Sequence, residues 1–342
     1  MTRYPRPLRP GDRIGVTAPS AGVSRPLRPR LDFCVQTLRD KGFDVVVGEC
    51  MDGDAVVSAP AADRARELTA MLTDPAIAAV VPPWGGELAI EILGLLDFEH
   101  IASAEPTWLV GYSDLTTVMF PLTMLTGWAS LHGANLMDTP YAVQPGHVAW
   151  WEVAGRSEGA AFTQRAATAY RSSGHDDWEA NPTVTQRTLD RSGRWSLLDP
   201  SSGPVDVTGR LIGGCIDVLS HLHGTPYGDL PSYGAAQGDD GLLVYLEAAE
   251  QNALDIARAL HGMRLAGWFD HARAVLIGRT PAPDSPGCTQ RDAVADALGG
   301  LGVPVVLDVE CGHVPPQMPF VNGSLGRVVV DGARQEVTQT LV

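Results

Sequence analysis

From Arg13 to Val110 the chain alternates short apolar runs with segments of helical spacing, and few folds accept that rhythm. Arg13–Ala18 (RIGVTA) is an apolar run bounded by Pro10-Gly11 and Pro19-Ser20. Leu31, Cys34, Val35 and Leu38 follow at spacings of three and four, one face of a helix, and Gly42 closes the segment. Phe43–Val47 reads as a second buried strand, Ala61–Leu72 as a helix and Ile77–Val81 (IAAVV) as a third strand. A Gly-Gly turn, an apolar helix over Leu88–Leu96 and the strand Trp108–Val110 complete the series. Strands alternating with helices of this length predict a parallel sheet covered on both faces. In such sheets a ligand sits beyond the carboxyl ends of the strands.

The rhythm weakens between about Trp151 and Ser202, where polar residues, Gly, Pro and Trp accumulate. Gly174–Pro182 (GHDDWEANP) reads as a surface loop. Beyond it, Val205–Ile212, Gly241–Leu246, Ala274–Ile277, Pro304–Leu307 and Gly326–Val330 read as strands, with helices at Ile216–His221, Leu254–Met263 and Arg291–Leu298. The expected organisation is α/β throughout: a parallel-sheet domain over 1–160, a linker and loop over 161–204, and a mixed α/β domain over 205–342.

Charge narrows the partners. Twenty-five Lys and Arg against 40 Asp and Glu give a net charge of −15, the wrong sign for a nucleic-acid backbone or an anionic membrane surface. At 44% hydrophobic and 19% charged residues the chain is a globular protein, not a disordered one. Residues 1–12 hold three arginines and three prolines and lack the apolar stretch of a secretory signal, which implies a cytoplasmic location. The five cysteines are scattered without a C-x-x-C pair, so reduced thiols and no cysteine-built metal site are expected.

The sharpest local signal is Trp108-Leu109-Val110-Gly111-Tyr112-Ser113-Asp114-Leu115. A serine at a strand-to-helix turn exposes its hydroxyl, and the backbone N–H groups after it can stabilise an oxyanion. The alternative is that Ser113 or Asp114 caps the helix beginning at Leu115. A nucleophile needs a base and the base needs an orienting acid. His313, in the rigid loop Glu310-Cys311-Gly312-His313-Val314-Pro315-Pro316, is the most suggestive histidine. His132 lies near the sheet's ligand edge, whereas His221 and His223 are too close in sequence to share a helix face. Glu247 ends an apolar strand and is well placed as the acid, with Glu250 its competitor. Backbone N–H groups at Gly85-Gly86 would also suit an oxyanion. Leu115 stands where an α/β-hydrolase G-x-S-x-G would need glycine, and no G-x-G-x-x-G follows the first strand, so neither that class nor a dinucleotide enzyme is supported.

Ala18-Pro19-Ser20, Gly85-Gly86, Gly111-Tyr112-Ser113-Asp114, Arg210-Leu211-Ile212-Gly213-Gly214, Glu247 and Gly312-His313 fall in the order of one family. The chain resembles the LD-carboxypeptidase family of serine peptidases, one branch of which comprises microcin C immunity proteins. The resemblance implies a Rossmann-like N-terminal domain and a smaller, β-rich C-terminal domain, assembled as a cytoplasmic homodimer without metal or other cofactor. It implies a triad of Ser113 as nucleophile, His313 as base and Glu247 as its orienting acid, with the N–H groups of Gly86 and Asp114 as oxyanion hole. The chemistry is hydrolysis of an amide beside a free carboxylate, or of a related acyl bond, through an acyl-enzyme.

Two branches of the family differ in substrate: murein tetrapeptides in wall recycling, or small peptidyl and aminoacyl conjugates of a nucleotide-like group. The insertion between Ala160 and Trp195 resembles the immunity branch, where a loop tryptophan stacks on a nucleobase; such stacking contributes about 1–3 kcal/mol per base. Trp178 is the first candidate and Trp195 the second, with Gly85 also lining the substrate; both tryptophans could equally anchor the loop. Trp84-Gly85-Gly86-Glu87-Leu88 departs from the Arg-Gly-Gly-Tyr-Gly of the wall-recycling branch. A rival of another class is a protein that sequesters a small acylated molecule without cleaving it.

Overall fold

The structure is a computed structural model that describes residues 2–342. The described residues divide into two compact units: residues 2–143, 148–158 and 174–188 form the first, and residues 144–147, 159–173 and 189–342 the second. The second is as long as the first, where the family resemblance implies a smaller one.

The first unit holds β1 (Arg13–Val16), β2 (Asp44–Val47), β3 (Ile77–Val80), β4 (Trp108–Gly111) and β5 (Ser130–His132). Its helices are α1 (Arg28–Asp40), α2 (Ala61–Thr73), α3 (Phe98–Ser103), α4 (Thr116–Thr126) and α5 (Trp150–Ala154). The five strands are parallel, in the order β5-β4-β3-β1-β2. That order reverses direction between β1 and β3, so the crevice beyond their carboxyl ends is the favoured ligand position. β3 and β4 are buried along their whole length, as central strands covered on both faces should be. In β2 Val45 alone is buried, because the strand closes the edge of the sheet. α1 turns Leu31, Cys34, Val35 and Leu38 inward as their spacing requires. Leu88–Leu96 is not an α-helix: Ala89–Leu95 winds as a 3-10 helix, its first N–H held by the Asp114 carboxylate.

The second unit holds β6 (Ala161–Arg165), β7 (Ala169–Tyr170), β8 (Arg191–Ser192), β9 (Ser196–Leu197), β10 (Val205–Cys215), β11 (Leu242–Glu247), β12 (Ala272–Gly278), β13 (Val305–Val309), β14 (Phe320–Asn322), β15 (Leu325–Asp331) and β16 (Arg334–Thr340). Its helices are α6 (Ile216–Leu219), α7 (Leu230–Ala236), α8 (Ala253–Leu265) and α9 (Gln290–Leu298). One mixed sheet runs β6-β16-β15-β10-β11-β12-β13-β9, with β10 to β13 mutually parallel and the flanking strands antiparallel. Side chains two apart share a face of a strand. Leu243 and Tyr245 therefore sink into a core with Trp195, Leu211, Leu276, Val306 and Phe320. Glu247 is the next member of that row, a carboxylate at the carboxyl end of an apolar stripe.

Candidate active site

In the first unit β4 delivers Gly111 to a turn in which Ser113 sits at φ 68°. A non-glycine residue in this left-handed region costs of order 1–3 kcal/mol and persists where its surroundings over-determine it. They do so here. On one side the Tyr112 N–H donates to Asn135 Oδ1 at 3.1 Å. On the other, the buried Asp114 carboxylate accepts from Ser20 Oγ (2.5 Å), the Ala89 N–H (2.8 Å) and Thr117 Oγ1 (3.1 Å). The N-cap residues of Ser113–Leu115 and α4 are Tyr112 and Leu115, and neither makes a side-chain cap hydrogen bond. The Gly85-Gly86 loop, beyond β3, closes on the same turn. A Cβ on Gly85 would lie 2.8 Å from both Ser113 Cβ and Asp114 N, and Gly86 has φ 144°. Glycine is needed at Gly85 for backbone to approach Ser113 this closely, and at Gly86 for the positive φ and because a Cβ there would meet Ser20 and Ala21.

Next to that loop stands an aromatic pair. The rings of Trp84 and Trp178 stack with centroids 6.4 Å apart and planes inclined by 16°. Trp84 Nε1 donates to the carbonyls of Ala21 and Gly22, and Trp178 Nε1 to Tyr141 Oη at 2.8 Å. The segment carrying Trp178 is held by buried Arg30, whose guanidinium donates to the carbonyls of Pro182, Val184 and Met137 and lies 5.1 Å from the Trp178 ring centre. Arg187 adds an ion pair to Asp138 at 2.7 Å. The sequence reading missed Trp84 and Arg30; a Trp directly before the Gly-Gly turn was the available signal for the first.

In the second unit His313 Nδ1 lies 2.8 Å from Glu247 Oε2, and Glu247 is wholly buried. An ionised carboxylate can only accept, so Nδ1 carries the proton and Nε2 the basic lone pair. Glu250 is exposed, and its N–H donates to Asp217 Oδ1. Room for the buried carboxylate comes from two glycines. A Cβ on Gly278 would fall 2.6 Å from Glu247 Cβ, and one on Gly312 only 2.4 Å from Glu247 Oε2. Cys215, opposite Glu247 in the β10–β11 ladder, is the residue that sequence reasoning passed over, although it directly follows the Gly213-Gly214 pair. Its thiol pKa is pushed well up by burial and by the charges of Glu247 and Asp217; burial and Glu247 do the same to Cys311.

Trp195 does not line a substrate surface. Its indole is 2% exposed in the core of the second unit and its N–H is spent on Glu310 Oε2 at 2.7 Å. His132 is buried at the end of β5 with its ring edge-on to Tyr112. His221 and His223 follow α6, His223 packing beside Gly262 of α8.

Comparison with known proteins decides the ancestry. The LD-carboxypeptidase N-terminal domain model matches residues 14–133, and the LD-carboxypeptidase C-terminal domain model matches residues 208–328. The chain belongs to the LD-carboxypeptidase family. Within it, a Streptomyces coelicolor protein named "Putative carboxypeptidase" is 32% identical, covering 90% of this chain and 87% of its own. The Microcin C7 self-immunity protein MccF of Escherichia coli is 24% identical over 97% of this chain and 95% of its own. The structure of MccF in complex with glutamyl sulfamoyl guanosine shares the fold, with a TM-score of 0.81 at 21% identity and 98% of each chain covered. MccF has also been solved with aspartyl sulfamoyl adenosine. A two-domain mixed α/β LD-carboxypeptidase fold is thus established for the chain, and a hydrolase acting on peptide-like conjugates is the activity consistent with it.

Proposed function

We propose that the protein is a serine hydrolase that cleaves an amide in a small peptidyl or aminoacyl conjugate. The observation that carries this reading is Ser113, held at a positive φ in a turn clamped on both sides. Ser113 Oγ attacks the carbonyl carbon while His313 Nε2 takes its proton. The imidazolium that forms is stabilised through Nδ1–H by Glu247. The tetrahedral oxyanion is met by the N–H groups of Gly86 and Asp114. His313 then returns the proton to the leaving amine, and water repeats the cycle on the acyl-enzyme. The working assembly in this reading is a cytoplasmic homodimer; light scattering on the purified protein should give twice the mass of the chain.

The Trp84–Trp178 pair favours a conjugate with a flat, nucleobase-like group over a murein peptide, because stacked indoles offer a π-face that a murein peptide does not use. Hydrolysis of aminoacyl sulfamoyl adenosine should exceed that of a murein tetrapeptide; the reverse order would transfer the protein to wall recycling. Ser113→Ala should remain folded and lose about 10³-fold or more in kcat/KM. Undiminished turnover in that variant would refute the triad, and binding of the conjugate without any turnover by the native protein would leave a sequestering protein. Trp178→Ala should raise KM for the nucleotide conjugate by about fivefold or more, the low end of a base-stacking loss, and leave a simple aminoacyl amide unaffected.

A further inference from the structure

The recess around Glu247 contains more than an orienting acid requires. Cys215, Glu247 and His313 each offer one donor atom, and the three donors lie within 4.8 Å of one another. They come from the end of β10, the end of β11 and the loop after β13, brought together by the parallel ladder in which Cys215 and Glu247 are opposite one another. Glu247 Oε1 is buried without a hydrogen-bond partner. Arg279, which directly follows β12, is turned to Glu310 at 3.5 Å and to the ring of Tyr170. His313 is the member that reaches solvent, with 21% of its side chain exposed.

We infer that Cys215, Glu247 and His313 form an inhibitory site for a thiophilic divalent cation such as Zn²⁺. Thiolate, carboxylate and imidazole are the three donor types zinc takes, at about 2.0–2.3 Å, so donors sharing one ion stand about 3.3–3.8 Å apart. A small rotation of the part-exposed His313 ring closes the remaining gap, and the fourth position stays open towards solvent. On binding, the Cys215 thiol releases its proton to solvent. The Nδ1 proton of His313 moves to Nε2 as Nδ1 takes the ion, so one proton leaves per ion and no electron is transferred. The ion then holds the nitrogen and the carboxylate on which the proposed hydrolysis depends. Occupancy and turnover are mutually exclusive.

This inference rests on the hydrolase reading for its consequence but not for its site, and the experiment separates the two. The native protein titrated with Co²⁺ should develop an intense near-ultraviolet thiolate-to-cobalt band that saturates at one ion per chain and is displaced by Zn²⁺. Cys215→Ser should lose the band while Cys288→Ser, at a thiol outside the cluster, keeps it. Zn²⁺ should abolish native hydrolysis, and Cys215→Ser, measured against its own metal-free rate, should need at least about tenfold more Zn²⁺ for the same fractional inhibition. His313→Gln should weaken Co²⁺ binding by a similar factor, which reads the site even if the serine variant fails to fold. No thiolate band, a band that survives in Cys215→Ser, or equal Zn²⁺ inhibition of both proteins overturns the site. A band without hydrolysis of any substrate would leave the site standing and refute the hydrolase reading.

Discussion

The two units present their reactive groups by opposite means. In the first, the backbone is strained so that a small side chain stands out from a turn: Ser113 sits at φ 68° with its neighbours tied to Asn135, Ser20 and Ala89. In the second, His313 and Glu247 have no unusual backbone, and side-chain volume has been removed instead, at Gly278 and Gly312, to admit a buried carboxylate. One half stores its cost in a dihedral angle and the other in desolvation. A strained turn can be relaxed by one substitution without disturbing its core, whereas a filled recess forces a buried charge to move. The largest effect should therefore follow from Gly312→Ala. Its Cβ would fall 2.4 Å from Glu247 Oε2 and 2.7 Å from Cβ and Cγ, so the carboxylate must leave His313. Overpacking combined with a buried charge that loses its partner is expected to cost at least about 3 kcal/mol in urea unfolding, with hydrolysis lost as well. A variant that unfolds like the native protein would mean that the recess is looser than its packing implies.

The same contrast governs what could be read from sequence. Ser113 was legible because everything that defines it is local: a buried strand, a glycine and a helix within a dozen residues. Glu247 was legible as the end of the apolar run Leu242–Leu246, although distinguishing it from Glu250 needed the fold. Cys215 was not legible, since its relation to Glu247 exists only through strand register. The two tryptophans of the insertion read alike in sequence, yet Trp195 is committed to Glu310 and the core while Trp178 stacks on Trp84. β16 escaped notice because its buried positions include Glu336 and Gln339, polar residues satisfied by Arg334 and by the Pro319 carbonyl and Val321 N–H. Hydrophobic alternation cannot register a strand that buries hydrogen-bonded amides. β2 erred in the other direction, since an apolar run at a sheet edge need not be buried.

A second test places the acid sensitivity in the second unit. The ring nitrogens of His147 are buried there, and burial lowers its pKa from 6.5 to about 4. Below pH 6.5 the unfolded chain therefore binds a proton that the folded one refuses, and stability falls until the pH passes 4, where both states are protonated. The loss over that window is of the order of 3 kcal/mol. Glu310 works in the opposite sense: burial raises its pKa, so the fold takes up a proton before the unfolded chain does and gains stability as pH falls. His147→Leu isolates the first effect. Urea unfolding at pH 7 and pH 4.5 should show a smaller drop for this variant than for the native protein. Equal drops would assign the acid response to other groups.

The smallest effect is the most direct test of strain. Ser113→Gly and Ser113→Ala both remove the hydroxyl and should be equally inactive, but they differ at the backbone. Alanine meets the same steric conflict at φ 68° that serine does, whereas glycine adopts this conformation freely. Release of strain, less the greater flexibility glycine gives the unfolded chain, should leave Ser113→Gly more stable than Ser113→Ala by about 1 kcal/mol. His313→Gly and His313→Ala, compared in the same way, should show no such advantage for glycine, because no left-handed backbone is recorded at His313. If glycine stabilises neither position, the turn at Ser113 is held without strain, and the contrast between the two halves reduces to burial alone.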